Sequence, residues 1–346
     1  MKKLFYTLFA LTALVFSSCS NKVDLYNDDG ETTVIYGMLD ANADTTFFKI
    51  TKSFVGNVNE LAPIYEVSNY KYDELEVTFS GIFVGENNTQ TLTLDTVSKW
   101  VPYDPDATFY SGCYQTYYYV PKKLIEGGEY EINVLRKSDN VNISAKVKTI
   151  NNFAYQKPTT TFPITFTDVT TTTTTVEWKV PVAPYKTTAS YFEVTGYFHY
   201  AELQPGATDT AHLVMKWPLG SGKADDLYNT STNMPYYMIT YSPSALYSLL
   251  QYDTYLINNS PYGVKRWFEK FEFDVTAVGE DLYNYYLITN SSSAIQDVPN
   301  YSNINNGMGL VSSRITKPLY VTISERTRKK IIEKFPEYYF IYDPNR

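Results

Sequence analysis

Residue types that commonly carry out catalysis or bind metal ions are scarce in this 346-residue chain, which has two histidines and two cysteines. His199 and His212 each lie within a predicted strand, and neither segment offers the further ligands at suitable spacing that a zinc site requires. Cys113 lies between glycine and tyrosine, with no predicted helix N-terminus that would lower the pKa of its thiol. We therefore expect no metal ion, no cofactor and no catalysis by a thiol or an imidazole.

Two short motifs match chemical signatures only in part. Gly220-Ser221-Gly222-Lys223 resembles a phosphate-binding loop, but Trp217 stands where glycine is required and Ala224 where serine or threonine is required. Asp40-x-Asn42-x-Asp44 resembles the start of a calcium loop but lacks its glycine and its bidentate glutamate. Both motifs are predicted to be turns. A hydrolase would need two facing carboxylates, and among 37 acidic residues the sequence does not single out a pair.

Tyrosine is abundant, with 34 copies, and it is concentrated in two clusters. The candidate ligand-binding residues taken from these clusters are Tyr114, Tyr117, Tyr118, Tyr236 and Tyr237. Tyrosine offers a flat amphipathic ring with a polar tip, which suits protein interfaces and sugar stacking alike. Tyrosine also fills half-buried strands in large β-proteins, so all three interpretations stay open at this point.

The first nineteen residues, MKKLFYTLFALTALVFSSC, have the organisation of a bacterial lipoprotein signal. Lys2 and Lys3 precede an apolar run from 4 to 16, and two serines lead to Cys19. We predict that residues 1–18 are a signal peptide and that acylated Cys19 anchors the protein in the cell outer membrane. That assignment leaves Cys113 as a lone thiol of unknown role, with no partner for an internal disulfide.

Residues 19–31 contain four spread acidic side chains and no apolar cluster, which predicts a flexible tether. The net charge of −8 and the pI near 5.0 argue against binding of nucleic acid. No later window approaches the apolar length that a spanning helix needs. The folded body is therefore expected to be held at the membrane by its lipid.

Strand patterns dominate the rest of the chain and predict a mainly β fold. The pattern predicts strands at Thr33–Leu39 and Thr46–Lys52, and further short strands fill residues 32–150, which fits an immunoglobulin-like β-sandwich. Residues 151–346 are predicted to be a larger β-rich second domain, with Trp178 pointing into its core. Short helices are expected near 280–289 and 324–335.

Several segments together resemble a family of Bacteroidota lipoproteins catalogued as domain of unknown function 4249. The segments that carry the resemblance are Ile35–Leu39, Phe48–Ser53, Gly128–Val134, Asp281–Tyr286 and Tyr301–Gly309. The sharpest of them is the last, Tyr-Ser-Asn-Ile-x-x-Gly-x-Gly, after which the chain departs from the family pattern. In this segment Asn303, Gly307 and Gly309 are interpreted as turn residues that need a positive φ.

The resemblance implies lipoproteins of the outer envelope that act beside TonB-dependent transporters, without an established enzymatic role. The favoured hypothesis is therefore a non-enzymatic accessory or interaction component whose partner is such a transporter. One alternative is a surface lipoprotein that binds glycans or peptides for nutrient capture. A second alternative is a hydrolase with unidentified carboxylates. Whether the body faces the cell surface or the periplasm stays open.

Overall fold

The structure is a computed structural model that describes residues 32–53, 70–71, 73–101, 113–230, 234–290 and 301–343. Half of the described residues lie in strands and 14% lie in helices, which confirms the predicted mainly β class with short helices. The predicted signal peptide, Cys19 and the acidic tether lie outside the described residues.

Strands β1 to β8 form a first β-sandwich. The sheet with strand order β4-β3-β7-β8 packs against strands β6, β2 and β1 of a second, longer sheet, which β5 extends at its edge. At its centre the Phe79 ring lies 5.3 Å from the rings of both Phe48 and Tyr130. The strands are β1 (Thr33–Leu39), β2 (Thr46–Lys52), β3 (Leu75–Gly81), β4 (Gln90–Thr93), β5 (Asp95–Val101), β6 (Cys113–Val120), β7 (Glu129–Arg136) and β8 (Val141–Lys148).

Strands β9 to β17 build a second sandwich. The sheet β13-β14-β10-β9 packs against β12, β11, β15 and β16. Trp178 on β10 is fully buried and lies 4.9 Å from the Phe192 ring, as the alternation predicted. The strands are β9 (Ala154–Lys157), β10 (Thr174–Lys179), β11 (Tyr191–Leu203), β12 (Ala211–Lys223), β13 (Tyr228–Asn229), β14 (Tyr236–Tyr241), β15 (Lys265–Val278), β16 (Met308–Val321) and β17 (Phe340–Ile341).

One long sheet runs through both sandwiches in the order β12-β11-β15-β16-β1-β2-β6-β5. Its junction is a parallel pairing of β1 with β16, in register from Val34 opposite Met308 to Leu39 opposite Ser313. Because β16 is 14 residues long, its Val311 packs in the first core and its Ile315 in the second. The expected boundary at residue 150 falls between β8 and β9, and the first core is completed by residues from the C-terminal half.

A tyrosine hydroxyl closes a gap in the long sheet where β15 and β16 pair. Val275 and Lys317 are register partners, but the Val275 N–H donates to the Tyr155 hydroxyl at 3.0 Å. That hydroxyl in turn lies 2.7 Å from the Lys317 carbonyl oxygen and 2.6 Å from the Phe273 carbonyl oxygen, and it donates its hydrogen to this pair of acceptors. Pro318, the next residue of β16, has no N–H to offer the ladder. Tyr155 of β9 therefore satisfies backbone groups of the opposite sheet.

Five α-helices lie in the described residues: α1 (Ala224–Leu227), α2 (Ala245–Gln251), α3 (Thr254–Asn258), α4 (Glu280–Asn290) and α5 (Glu325–Lys334), followed by a 3-10 turn (Pro336–Tyr338). Helices α4 and α5 confirm the two predicted helices, whereas α2 and α3 were not predicted. Ser324 caps α5 by accepting the Thr327 N–H, and Ile331 is fully buried. Helix α4 packs its Leu282 against Val278 and Leu310 of the long sheet.

Candidate functional site

The first tyrosine cluster is divided between the two faces of β6. Tyr114 is 69% exposed and its ring meets that of Trp100 edge-on at 5.2 Å. Tyr117 is half-buried and donates its hydroxyl hydrogen to Gln115 Oε1 at 3.2 Å. Tyr118 is 7% exposed and belongs to the first core. Tyr118 is thus wrong as a candidate ligand contact, because strand alternation turns it inward beside the outward Tyr117.

The second cluster is divided in the same way on β14. Tyr237 is 1% exposed, lies 6.2 Å from the Trp178 ring, and accepts the Thr187 N–H with its hydroxyl. Burial raises the pKa of Tyr237 to about 12. Tyr236 is half-buried, with its hydroxyl 3.1 Å from Asn229 Nδ2. Tyr237 is therefore also wrong as a candidate ligand contact, since both its ring and its hydroxyl serve the core.

The outward side of strands β1, β2, β6 and β5 of the long sheet carries a continuous group of aromatic and long side chains. Strand alternation explains its composition, because Ile35 and Phe48 point into the core while Tyr36 and Phe47 point away from it. Tyr36 is 54% exposed and Met38 is 40% exposed. We call this surface the aromatic face; its members are Tyr36, Met38, Phe47, Lys49, Lys99, Gln115, Tyr117 and Tyr119.

Cations are interleaved with the rings of the aromatic face. Lys99 Nζ lies 3.1 Å from the centre of the Phe47 ring, a cation–π contact. Lys49 donates to Gln115 Oε1, which also accepts the Tyr117 hydroxyl. Among the described outward positions of these four strands, the acidic residue is Asp95 at the start of β5. The aromatic face is flat, partly apolar and weakly positive, which are properties of protein-binding surfaces.

Strand β5 lies at one end of the long sheet, so that one row of its backbone groups has no neighbouring strand among the described residues. Trp100 is 56% exposed although it points to the same side as the core, because the β5–β6 hairpin extends past the packed residues. The segment between these strands, residues 102–112, lies outside the described residues. Exposed edge strands and exposed aromatic pairs both favour association with another chain.

Both histidines are paired with carboxylates, as expected for strand histidines. His199 Nε2 lies 2.7 Å from Glu272 Oε2, and His212 Nδ1 lies 2.6 Å from Glu269 Oε1. Across the described part of the chain, no group of three His, Cys, Asp or Glu side chains is placed to hold a metal ion. Neither pair has a third ligand there.

A pair of neighbouring carboxyl groups projects from the outward side of β15. Asp274 is half-buried, and burial followed by the charge of Glu272 raises the pKa of its carboxyl to about 6. Asp274 Oδ1 is buried without a hydrogen-bond partner among the described residues. Glu272 also raises the pKa of Tyr320, its register partner on β16. Neither carboxyl group lines the cavity described below.

The signal for this carboxyl pair was present in the sequence, because Phe271-Glu272-Phe273-Asp274 alternates aromatic and acidic residues. What the sequence could not show is that His199 and Tyr320 of neighbouring strands lie beside Glu272. The pair was therefore indistinguishable from other acidic residues.

The buried ion pair between Arg266 and Glu202 has a structural role. Arg266 Nη2 lies 2.6 Å from Glu202 Oε2, and both side chains are almost fully buried. The guanidinium also donates to the carbonyl oxygens of Tyr338 and Asn259 at 2.6 Å each. It thus joins the C-terminal segment to β15, and its donors are occupied by protein groups.

The segment 301–309 ties the C-terminal half to β1. Gly309 has φ +117°, and a Cβ added there would lie 2.1 Å from the Ile35 carbonyl oxygen. Gly307 is instead required because the backbone of β1 approaches it closely: a Cβ added at Gly307 would lie 2.8 Å from the Thr33 carbonyl oxygen. Asn303 acts through its side chain, which donates to the Val311 carbonyl oxygen and accepts the Val311 N–H. The positive-φ interpretation is thus confirmed for Gly309 and wrong for Gly307 and Asn303.

No family model matches the chain, and no curated protein matches it. Among the described residues no helix is long and apolar enough to cross a membrane. The resemblance to the Bacteroidota lipoprotein family stays a prediction.

Proposed function

We propose that the protein is a lipid-anchored, non-enzymatic interaction component of the bacterial outer envelope, and that its aromatic face docks on a partner protein. The observation that carries this proposal is the aromatic face, where Tyr36 and Met38 are exposed side by side on a flat sheet surface beside Phe47 and Lys99. A flat surface of this kind suits a large protein partner better than a small ligand.

The position of the surface relative to the predicted anchor supports this proposal. Residues 19–31 span at most about 45 Å when extended, at about 3.5 Å per residue. An acylated Cys19 would therefore hold β1 within that distance of the lipid, where an integral membrane protein is the accessible partner. The TonB-dependent β-barrel transporter implied by the family resemblance is a partner of this class.

The geometry supports the two alternatives less well. A glycan platform would show exposed parallel aromatic rings lining a concave site. The cavity at the junction of the sandwiches contains one aromatic residue, Tyr130, which is 2% exposed and donates its hydroxyl hydrogen to the Ile82 carbonyl oxygen. A hydrolase would place its carboxyl pair in a cavity, whereas Glu272 and Asp274 lie on a sheet surface.

Co-purification tests the proposal. The full-length tagged chain is recovered from the membranes of its own cells in mild detergent, and bound proteins are identified by mass spectrometry. We expect a β-barrel transporter in the wild-type sample and its loss from a Tyr36→Ala/Met38→Ala variant. Tyr262→Ala is the matched control, because Tyr262 is 91% exposed at a site away from the aromatic face.

Two outcomes would contradict the proposal. Recovery of the wild-type chain without any integral membrane protein would contradict binding to such a partner. Equal recovery of the transporter with the double variant and with the Tyr262→Ala control would contradict the assignment of the aromatic face as the docking surface.

A further inference from the structure

A cavity of about 480 Å³ lies where the two sandwiches meet, away from the aromatic residues of the proposed docking surface. Strands β3, β7 and β8 of the first sandwich contribute to its lining, and so do residues 188–190 and the corner between β15 and α4. Small-molecule sites are commonly cavities of this size at junctions between domains. The lining here is mainly polar and charged, which restricts the chemistry of an occupant.

The first wall of the cavity is a ladder of alternating charges. Glu131 on β7 stands opposite Lys146 on β8, and Glu129 stands opposite Lys148 one step along. Lys148 and Glu129 form an exposed ion pair at 3.4 Å. No ion pair joins Glu131 to Lys146 in the described structure, so this second couple presents a carboxylate and an ammonium group side by side toward the cavity.

The second wall is held rigidly at the start of α4. Ser312 Oγ accepts the Leu282 N–H at 3.1 Å and fixes the first turn of the helix on β16. A Cβ at Gly279 would lie 2.9 Å from Ser313 Oγ, so the corner packs too closely for a larger residue. This corner places the carboxylates of Glu280 and Asp281 in the lining. Glu280 is exposed, whereas Asp281 Oδ1 accepts the Tyr301 hydroxyl hydrogen at 2.8 Å. The hydroxyl of Ser190 also lines the cavity.

We propose that this cavity binds a small zwitterion, namely a short peptide with free termini. The ammonium group of the peptide would be held by the carboxylates of Glu131 and Glu280, and its carboxylate by Lys146. A ligand of one charge sign would satisfy one set of these groups and face repulsion from the other. Hydroxyl groups such as that of Ser190 supply hydrogen-bond partners for peptide amides. This proposal does not rest on the aromatic face or on its proposed partner.

Calorimetric titration of the full-length chain in detergent tests this inference. The probes are Ala-X-Ala tripeptides in which X is each standard amino acid in turn. We expect at least one tripeptide to bind, and its N-acetylated, C-amidated form to fail. We expect Lys146→Met and Glu131→Gln each to weaken binding about tenfold, as loss of one charge contact of about 1.4 kcal/mol would do.

Lys137→Met is the matched control, because Lys137 is exposed in the turn between β7 and β8, outside the cavity lining. Thermal melting of each variant verifies folding before titration. Failure of every tripeptide to bind would overturn the inference. Equal affinity of the Lys146→Met and Lys137→Met variants, or undiminished binding of the capped peptide, would overturn it as well.

Discussion

The half-buried carboxyl of Asp274 predicts how the stability of the protein depends on pH. Burial, and then the charge of Glu272, raises the pKa of Asp274 from 3.8 to about 6 in the folded state. Between these two values the folded protein retains a proton that the unfolded chain has lost. The free energy of unfolding therefore falls as the pH rises from about 4 through 6, and this contribution levels off above about pH 7.

The magnitude follows from this shift. The pKa of Asp274 is raised from 3.8 in the unfolded chain to about 6 in the folded protein. At 1.36 kcal/mol per pKa unit, the free energy of unfolding therefore falls by about 1.4 kcal/mol between pH 5 and pH 8. Because Asp274 is only half-buried, solvent screens its charge, and we expect about 0.7 kcal/mol in practice. Asp274→Asn keeps the side-chain shape and removes the titration. The variant should lose this part of the pH dependence and be more stable than wild type at pH 8.

Urea unfolding followed by tryptophan fluorescence at pH 5 and pH 8 measures the effect. Asp209→Asn serves as the control, because Asp209 is an exposed aspartate in the turn between β11 and β12. The reasoning is refuted if wild type and Asp274→Asn lose the same free energy between the two pH values. It is equally refuted if Asp274→Asn is less stable than wild type at pH 8, since the ionised carboxylate would then stabilise the fold.

Two further predictions concern the anchor and the junction of the sandwiches. Cys19→Ser should abolish incorporation of labelled palmitate and move the protein from the membrane fraction to the soluble fraction; retention of both label and membrane association would contradict acylation at Cys19. Gly309→Ala should destabilise the fold by about 3 kcal/mol or more, because a positive φ and a backbone clash act together. Gly206→Ala is its control, with φ +82° but no atom within 4 Å of the added Cβ, and should cost about 1 kcal/mol by denaturant unfolding. Equal costs for the two variants would contradict the close approach of β16 to β1.

Local patterns in the sequence predicted the elements that obey a regular alternation or carry a clear cap. Strands β1 and β2 have the predicted bounds, because alternate residues are buried and include Ile35 and Leu39 of β1 and Phe48 and Ile50 of β2. Helix α5 was predicted from its serine cap and its buried isoleucine. Strand β5 was not predicted, because both of its faces are exposed and its sequence therefore has no apolar alternation to detect.

Pairing between distant segments was not predictable from these patterns. The parallel contact of β1 with β16 joins Val34 to Met308 across most of the chain, and no local signal specifies that partner. The long sheet and the shared core residues follow from this one contact. The sequence therefore predicted two β-rich halves but not their common sheet.

The candidate site was located only in part for a related reason. Tyrosine density identified the region around β6, but density alone does not distinguish the outward Tyr117 from the inward Tyr118, which strand alternation separates. Tyr36, Met38 and Phe47 of the aromatic face were missed entirely. They belong to neighbouring strands, so their common surface exists only once β1, β2 and β6 are paired.

The shared sheet also gives the two proposed sites a common neighbour. Tyr36 of the aromatic face stands opposite Leu310 of β16, and Leu310 packs beneath Leu282 of α4. The first turn of the same helix supplies Glu280 to the cavity. A partner on the aromatic face and a peptide in the cavity would thus contact two parts of one structural unit. Coupling between two sites requires a two-state element whose equilibrium both ligands bias, and α4 with β16 is the unit on which coupling between these two sites would depend.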